Sequence, residues 1–477
     1  MRPVVGFDLD LTLVDSDDGI VATFAEAVRR TGASVDPEEM RPLIGVPLEN
    51  ACAALLPPEL VTAVVRNYRE LYLSLGIPGT RLLPGAAEAI AAVRSHGGRA
   101  LVVSAKIQPA VEAVLEHVGL DVDVAIGGLY AAAKGAALRA HAATALVGDH
   151  PADVVGAHAA GAVAVGVTTG FHDAAALRAS GADAVLSGLR EFPSWLDEHV
   201  LVARLAMLEE HLKAVGSVVV AFSGGADSAL LLAAAVRALG AGRVLAATAV
   251  SPSLPRRELL AARRFAEDIG VRHVAPRTDE MSRAGYRAND GDRCYFCKAE
   301  LIDVLGPLAI REGFAAVATG TNANDAIAGF RPGIRAAAER GAITPLLDAG
   351  LTKAQVREAS RRWELSTWDK PAAACLSSRV AYGLEITPSR LARVDRAEAS
   401  LRTALATAGI SVRNLRVRDL GDLARVEVDR DVVDAVSAAP DALAAVRAAG
   451  FDDVIVDPTG FRTGAMNELL PEPARFR

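Results

Sequence analysis

Short apolar runs rich in β-branched residues alternate with Ala- and Leu-rich stretches along this chain of 477 residues. Such runs are typical of strands that are buried on both faces, and the stretches between them are long enough for helices. Strands that alternate with helices form parallel sheets, because a parallel pair needs a long crossover connection. The sequence therefore predicts the α/β fold class, with parallel sheets.

Two interruptions of this pattern predict three regions. The strand series that starts at VVGFD pauses near REFPSWLDEH and restarts at VVVAF, which places a boundary after residue 197. Between about residues 15 and 82 the chain looks helical, which predicts a helical cap inside the first domain. Near the end, NLRVRDL, ARVEVD and DVIVD alternate as half-exposed strands do. We predict two parallel-sheet domains and a small C-terminal α+β region, at 1–197, 198–384 and 385–477.

Charge and cysteine content exclude several classes of protein. The net charge of −7 favours neither a nucleic acid nor an anionic membrane as partner. No apolar run approaches the roughly 20 residues that span a bilayer, and the N-terminus lacks a signal pattern. Four cysteines are too few for a disulfide framework in a chain of this length. We therefore expect a cytoplasmic protein.

A first group of polar residues lies where predicted strands end. FDLDLTL places Asp8 and Asp10 two residues apart, so that both carboxylates can face one pocket. Ser104 and Asp149 follow two further strands, and Lys134 lies in a helical stretch. Ligands bind at this edge of open α/β sheets, and clustered carboxylates with a phosphoryl group require a cation. For the D-x-D-x-T pattern taken alone, a polar strand end without function is the alternative.

In this order the residues resemble the haloacid-dehalogenase superfamily of phosphatases, over about residues 1–195, in its phosphoglycolate-phosphatase-like branch. The resemblance implies a Rossmann-like domain in which Asp8 is the nucleophile and Asp10 the general acid and base. It implies that Ser104 and Lys134 hold the phosphate. It also implies an Mg²⁺ site formed by Asp8, Asp10 and Asp149.

One position departs from this pattern, because Leu11 stands where the family usually has glycine. We expect the leucine to stiffen the loop without removing a functional group. A non-catalytic interaction module is the alternative for this domain, although its full set of acidic and basic residues argues against it.

VVVAFSGGADSALLLAAAV has the order strand, glycine turn, helix. Free N–H groups at the start of such a helix form an anion site, and the G-K-[ST] ending of kinase-type P-loops is missing. The motif resembles the PP-loop ATP pyrophosphatases, with their adenine nucleotide alpha hydrolase-like fold. The resemblance implies that ATP is gripped by its β,γ-pyrophosphate and that AMP is transferred to a substrate oxygen. The implied ATP-binding residues are Ser223, Gly224, Gly225, Asp227 and Ser228.

Three of the four cysteines belong to the second half of the chain. Cys294 and Cys297 stand in GDRCYFCK, which we interpret as a polar loop, and Cys375 stands in ACLSSRVAYG. A structural zinc site needs four ligands, and no histidine lies at ligand spacing. Three thiolates can hold a [4Fe–4S] cluster whose remaining iron binds sulfide. The alternatives are that Cys375 gives up or carries the sulfur itself, or that the three thiols are unrelated.

Taken together, AFSGGADS, RCYFCK, CLSSRVAYG, LRVR and GFRTGAMNE resemble the LarE family of ATP-dependent sulfur transferases over residues 200–477. The resemblance implies the biosynthesis of a nickel-pincer nucleotide. A carboxylate of a pyridinium biscarboxylate mononucleotide receives AMP, which sulfur then replaces. It also implies a catalytic Cys375 and a homo-oligomer. Some family members sacrifice a cysteine, but the presence of all three here favours the cluster. The implied substrate-binding residues are Arg379, Arg416, Arg418, Glu398 and Glu427.

A tRNA thiolase of the PP-loop class is the alternative, because those enzymes also combine the glycine motif with three cysteines. The negative net charge and the lack of a basic arm count against it.

Overall fold

The computed structural model describes residues 2–327, 331–371 and 375–462. The chain divides into two compact units, Met1–Val200 and Leu201–Arg477. The region predicted to begin at residue 385 lies within the second unit. Among the described residues, no helix combines the length and the apolar character needed to cross a bilayer.

The first unit contains a parallel sheet with helices between its strands. In chain order its elements are β1 (Val4–Phe7), β2 (Val14–Asp15), α1 (Asp17–Arg29), a 3-10 helix (Pro37–Leu43), α2 (Leu48–Leu55), α3 (Pro58–Leu75), β3 (Arg81–Leu82), α4 (Ala86–Ser95), β4 (Arg99–Val103), α5 (Gln108–Val118), β5 (Val124–Ile126), α6 (Ala132–Ala140), β6 (Ala145–Gly148), α7 (Pro151–Ala160), β7 (Val163–Val167), α8 (Ala174–Ala179), β8 (Ala184–Leu186) and α9 (Phe192–Val215), which continues past the boundary. The sheet order is β5–β4–β1–β6–β7–β8, and all the pairs are parallel.

The segment between β1 and β4 is mostly helical, as the absence of strand-like runs predicts. The short antiparallel pair of β2 and β3 brings its two ends together. Helix α3 begins with Pro58, whose fixed φ and missing N–H suit the first helical position. Its apolar residues recur at helical spacing, so one face of α3 is buried. The buried residues of α3 are Val64, Val65, Tyr68, Leu71 and Tyr72.

The second unit contains a parallel sheet followed by a smaller mixed sheet. In chain order its further elements are β9 (Val218–Ala221), α10 (Ala226–Leu239), a 3-10 helix (Ala241–Arg243), β10 (Val244–Ala247), α11 (Arg256–Asp268), β11 (Arg272–Val274), a 3-10 helix (Glu280–Ser282), α12 (Ala284–Arg287), α13 (Arg293–Glu312), β12 (Ala316–Thr319), α14 (Ala323–Ile327), α15 (Pro332–Ala338), α16 (Pro345–Asp348), α17 (Lys353–Arg362), a 3-10 helix (Leu376–Arg379), α18 (Pro388–Thr407), β13 (Leu415–Asp419), β14 (Leu423–Val428), a 3-10 helix (Arg430–Val432), α19 (Val433–Ser437), α20 (Pro440–Arg447) and β15 (Asp453–Val456).

The first sheet of this unit has the parallel order β11–β10–β9–β12. In the second sheet, β14 pairs antiparallel with β13 and parallel with β15. Helix α18 packs against β13 and α20 around a separate apolar core. The α/β fold class with parallel sheets is therefore confirmed.

Three edge strands of the two parallel sheets were not predicted from the sequence, namely β5, β8 and β11. Each has only three residues, and most of them are half-buried or exposed. Short, partly solvated edge strands lack the continuous apolar run that marks a central strand.

Candidate active sites

In the first unit, three of the predicted site residues directly follow neighbouring strands. Asp8 follows β1, Ser104 follows β4 and Asp149 follows β6. Strand β1 lies between β4 and β6, and all three run in the same direction. The sheet order therefore brings these side chains to one edge, where open α/β sheets bind ligands.

Lys134 on α6 connects two of the carboxylates at this edge. Its Nζ lies 2.7 Å from Asp8 Oδ1 and 2.6 Å from Asp153 Oδ1. Ligand oxygens of Asp8, Asp149 and Asp153 all lie within 4.8 Å of one another, and the three residues are buried. Three carboxylates and one ammonium leave an excess of two negative charges. A divalent cation with oxygen ligands such as Mg²⁺ fits this group in both charge and chemistry.

The pKa values of Asp8 and Asp149 are raised, first by burial and then by the neighbouring negative charges. Burial raises the pKa of Asp8 to about 7, although Lys134 opposes the rise. Burial, followed by the charges of Asp8 and Asp153, raises the pKa of Asp149 well above its usual value. A cation between these groups would stabilise their ionised forms.

Asp10, which the sequence predicts as a further metal ligand, lies outside this group. Both of its carboxylate oxygens accept hydrogen bonds from Lys106 Nζ at 2.8 Å, and Ser16 Oγ donates to Oδ1 at 2.5 Å. Asp153 is the third member of the group instead. The ring of Tyr72 lies against the ammonium of Lys106, with its centroid 4.7 Å from Lys106 Nζ. Asp10 is therefore held away from the other carboxylates by an ion pair that sequence reasoning missed.

Leu11 adopts a left-handed backbone conformation, with φ of 56°. Its side chain is 5% exposed, and Thr169 Oγ1 donates a hydrogen bond to its carbonyl at 2.5 Å. The left-handed conformation costs a leucine about 1 kcal/mol, while burial of its side chain contributes about 2 kcal/mol.

We expect Leu11→Gly to lower the free energy of unfolding by about 1–2 kcal/mol, because the lost burial exceeds the relieved strain. Leu11→Ala should lower it at least as much, since alanine loses the burial and keeps the strain. Denaturant unfolding of both variants provides the measurement. An alanine variant clearly more stable than the glycine variant would contradict the role given to the backbone conformation.

In the second unit, the motif SGGADS joins β9 to α10. Gly224 has φ of 71°, a conformation that glycine adopts without strain, and α10 begins just after Gly225. Ser228 Oγ lies 3.1 Å from both Ser223 Oγ and the Gly225 carbonyl oxygen. A Cβ on Gly320, at the end of β12, would lie 2.8 Å from the Ser228 nitrogen. The loop is therefore closely packed at the start of the helix, where backbone N–H groups can bind phosphate.

Two lysines hold this loop in place. Lys353 Nζ lies 2.5 Å from Asp227 Oδ2, and Asn322 Nδ2 lies 3.1 Å from Asp227 Oδ1. Lys370 Nζ donates to the Gly224 carbonyl at 2.9 Å and pairs with Glu258 at 2.8 Å. These contacts position the acidic residue of the motif next to the phosphate-binding turn.

A pocket of about 560 Å³ extends from this loop. Ser223, Gly225, Asp227 and Ser228 line one part of it. Other parts of its lining come from the loop after β12, from the start of α15 and from α13, which contributes Cys294 and Lys298. The pocket thus joins the phosphate-binding turn to one of the three cysteines.

The C-x-x-C pair lies in the first five residues of α13, so its assignment to a polar loop is wrong. Burial raises the pKa of Cys297, and the charge of Cys375 raises it further. Desolvation by the surrounding protein also raises the pKa of Cys294, although the residue is exposed to the pocket, with Arg293 opposing the rise and Cys375 adding to it. The start of α13 and the segment that begins at Cys375 therefore bring the three thiols within electrostatic range of one another.

The spacing of the three sulfur atoms bears on what they can bind. Among the residues that the structure describes, they do not form a group within the 4.8 Å that ligands of a single ion would occupy. Ligands of an iron–sulfur cluster bind separate iron atoms and stand farther apart, and thiolates are their usual ligands. The spacing therefore does not suit a single metal ion, and the three thiols are a donor set of the kind that clusters use.

Most of the predicted substrate residues form buried ion pairs around residues 375–379, which we call the cysteine loop. Arg379 Nε lies 2.9 Å from Glu398 Oε1, and its Nη1 donates to the Cys375 carbonyl at 2.9 Å. Arg418 Nη2 lies 2.7 Å from Glu427 Oε2, and its Nη1 donates to the Ser378 carbonyl at 3.0 Å. Each glutamate therefore orients an arginine that holds the loop backbone.

Arg416, the third predicted arginine, is 7% exposed. Its Nη1 donates to the Leu415 carbonyl at 2.8 Å. Burial, followed by the neighbouring guanidinium of Arg379, lowers the pKa of Arg416 to about 10, while Glu398 opposes the shift. Arg416 therefore places a guanidinium beside the Arg379–Glu398 pair, which favours an anionic ligand close to it.

Comparison with known proteins identifies the first unit. A family model of haloacid dehalogenase-like hydrolases matches residues 5–158, and a model named HAD-hydrolase-like matches residues 126–192. The probable phosphatase IndB of Dickeya dadantii is 36% identical over 203 residues, which make up 38% of this chain and 87% of that protein.

The same comparison covers the remaining part of the chain. An uncharacterized protein of Synechocystis is 40% identical over 275 residues, which make up 57% of this chain and 99% of that protein. The pyridinium-3,5-bisthiocarboxylic acid mononucleotide synthase of Lactiplantibacillus plantarum, a LarE protein, is 33% identical over 271 residues, 57% of this chain and 96% of that protein. The chain belongs to the LarE family. It carries in addition a haloacid dehalogenase-like (HAD) phosphatase domain, so that it is both a sulfur transferase and a phosphatase.

Lysine scarcity is the signal that could have found more of these sites from the sequence. Among the 51 basic residues, lysine occupies only positions 106, 134, 213, 298, 353 and 370. Lys106 and Lys134 belong to the HAD site, and Lys298, Lys353 and Lys370 belong to the LarE site. Lys213 pairs with Glu209 on the surface of α9. Where arginine is the usual cation, a lysine is a candidate for a specific role.

Proposed function

We propose that the LarE unit adenylates a carboxylate of a pyridinium-3,5-biscarboxylate mononucleotide and exchanges AMP for sulfur. The HAD unit, in this proposal, hydrolyses a phosphate monoester with Mg²⁺. The observation that carries the first part is the pocket that Cys294 shares with the phosphate-binding loop. A nucleotide and a sulfur-binding residue can then meet in one cavity.

The residues of the LarE unit divide the proposed reaction between them. The N–H groups after Ser223 bind the β,γ-phosphates of ATP, while a substrate carboxylate oxygen attacks the α-phosphorus and pyrophosphate leaves. Sulfide then attacks the carbonyl carbon of the acyl adenylate, and the C–O bond to AMP breaks to leave a thiocarboxylate. Arg416 binds the substrate phosphate, since an anion offsets the positive charge around it.

In this proposal Cys294, Cys297 and Cys375 would hold a [4Fe–4S] cluster, which would supply the sulfide for the transfer. Arg293 is 5% exposed and lies beside these thiols, which raise its pKa against the effect of burial. It offsets part of their negative charge. Its Nη1 donates to the Ser377 carbonyl at 2.9 Å, which fixes the loop that carries Cys375.

In the HAD unit, Asp8 attacks the phosphorus atom of the ester, and Asp10 gives a proton to the departing oxygen. Asp10 then removes a proton from the water that hydrolyses the aspartyl phosphate. Lys134 and Ser104 hold the phosphate oxygens. Asp8, Asp149 and Asp153 would hold Mg²⁺, which would offset the charge of the transferred group.

Iron and acid-labile sulfide, measured in protein purified without oxygen, test the sulfur-transfer proposal. We expect about four of each per chain, lost in Cys294→Ala and retained in Cys52→Ala. Cys52 is the matched control because it is buried in α2 of the other unit. No iron, with a wild-type mass that falls by one H₂S after turnover, would instead make Cys375 a sacrificial donor. Tight, salt-sensitive tRNA binding would favour a thiolase.

Two broader expectations belong to the same proposal. We place the enzyme in the cytoplasm, where free thiols stay reduced and ATP is present. We also expect a homo-oligomer, which light scattering of the purified chain would show.

A further inference from the structure

A pocket of about 140 Å³ opens from the HAD site towards the cap helices. Asp8, Asp10 and Ser104 lie at one end of it, so the pocket receives whatever group is esterified to the phosphate. Most of its other walls are aliphatic. These aliphatic side chains include Ile20, Met40, Leu43, Ile44, Leu73 and Ile107.

Two of these side chains are also among the exposed large apolar residues of the chain. Leu73 on α3 is 56% exposed, and Ile107, just before α5, is 38% exposed. Both line the pocket, one from the cap and one from the core domain. Exposed apolar side chains that converge on a concave site mark a surface for an apolar ligand.

The cations among the lining residues already face carboxylates. Lys106 Nζ lies 2.8 Å from both carboxylate oxygens of Asp10. Arg69 donates a hydrogen bond to Glu49 at the rim. A second anionic group on the substrate would therefore lose its hydration without gaining a cation in return.

The size of the pocket sets a further limit. A cavity of about 150 Å³ holds a molecule the size of benzene. This pocket is of similar volume. With the phosphate at the end that carries Asp8, the remaining space therefore limits the alcohol to about one ring. A mononucleotide that carries two carboxylates is larger than this space, and its carboxylates would find no unpaired cation among the lining residues.

Resting on the proposed phosphatase activity, we propose that the HAD unit acts on the phosphate monoester of a compact, uncharged, apolar or aromatic alcohol. Neither phosphoglycolate nor the mononucleotide of the LarE reaction belongs to this class. The phosphatase therefore removes phosphate from a metabolite that differs in chemistry from the sulfur-transfer substrate.

Rates on benzyl phosphate, phosphoglycolate and nicotinic acid mononucleotide test this inference with the full chain and Mg²⁺. Benzyl phosphate and phosphoglycolate both release alkoxides, so a difference between them reports the leaving-group pocket. We expect kcat/KM for benzyl phosphate to be higher by about 30-fold, the factor for burial of one ring-sized apolar group. Equal rates, or a preference for either anionic substrate, would overturn the inference and leave the phosphatase assignment standing. No hydrolysis of any phosphate ester would contradict both the inference and the proposed phosphatase activity.

Two variants on α3 test whether the substrate preference arises in this pocket. Leu73→Arg puts a cation at the pocket, and we expect it to lower kcat/KM for benzyl phosphate by about 10-fold while raising that for phosphoglycolate. Leu75→Arg is the matched control, because Leu75 is 43% exposed on the same helix and does not line the pocket. Equal effects of the two substitutions would count against the assigned pocket.

Discussion

Replacing Asp8 with Asn is expected to lower the Mg²⁺-dependent hydrolysis of an aryl phosphate by at least about 1000-fold. An amide cannot form the phosphoryl-enzyme bond, and it is a poorer ligand for the cation. The neighbouring carboxylate of Asp153 does not replace Asp8, because it is tied to the ammonium of Lys134, which lies 2.6 Å from Asp153 and 2.7 Å from Asp8. Release of phosphate by the full-length wild type and variant provides the measurement.

The control for this variant is Asp15→Asn, because Asp15 lies in β2 and its side chain is 42% exposed. It should retain full activity. Sulfur transfer should be unchanged in both variants, since the LarE site belongs to the other unit. Residual activity within tenfold of wild type would remove Asp8 as the nucleophile, whereas no hydrolysis of any phosphate ester by the wild type would favour a non-catalytic role for the domain.

The same substitution also has a consequence for pH dependence. The pKa of Asp8 is raised to about 7 by burial in the absence of metal, so ionisation of this group opposes folding. Its contribution to stability is present at low pH and is lost as pH rises through about 7. The amide introduced by Asp8→Asn cannot ionise, so the metal-free variant should lose less stability than wild type between pH 5 and 8. Thermal unfolding in a chelator measures the difference, and identical pH profiles would contradict it.

Replacing Arg379 with Met is expected to lower the free energy of unfolding of the second unit by about 3–5 kcal/mol. The side chains of Arg379 and Glu398 are 1% and 2% exposed, so the substitution leaves a carboxylate buried without its main partner. The loss of the bond to the Cys375 carbonyl should also loosen the cysteine loop and reduce sulfur transfer. Tryptophan fluorescence during denaturant unfolding, in a Trp195→Phe background, reports the second unit through Trp363 and Trp368.

Two further variants make this prediction specific. Arg361→Met removes an ion pair with Glu358 whose side chains are 58% and 34% exposed, and it should cost less than about 1 kcal/mol. The double substitution Arg379→Met with Glu398→Leu should recover much of the stability, because neither member of this pair then remains buried without the other. A single Arg379→Met no more destabilising than Arg361→Met would show that the buried pair does not hold this region together.

The central strands and the residues at their ends were accessible from the sequence, because a strand buried on both faces must be apolar along its whole length. VVGFD and VVVAF each extend only one residue beyond the observed strand. The glycine turn of SGGADS was accessible for a similar reason, since a local motif dictates its own backbone geometry.

Pairs between distant positions were decided by the tertiary structure alone. Lys106 binds Asp10 across 96 positions, and Lys353 binds Asp227 across 126. Neither spacing has a local signature. The pairing of Arg379 with Glu398 likewise depends on how α18 packs beside the loop. The partner of a buried charge is set by which surfaces meet, and this is a property of sheet order and helix packing.

The sequence by itself therefore determined the α/β class, the strand ends that carry Asp8, Ser104 and Asp149, and the phosphate-binding turn. Each of these follows from residues close together in the chain. Only the tertiary structure decided that Asp153 joins Asp8 and Asp149, that the C-x-x-C pair starts a helix, and that the cap pocket is apolar with its cations already paired. Burial and charge balance depend on all the groups that surround a side chain, and most of those groups come from elsewhere in the sequence.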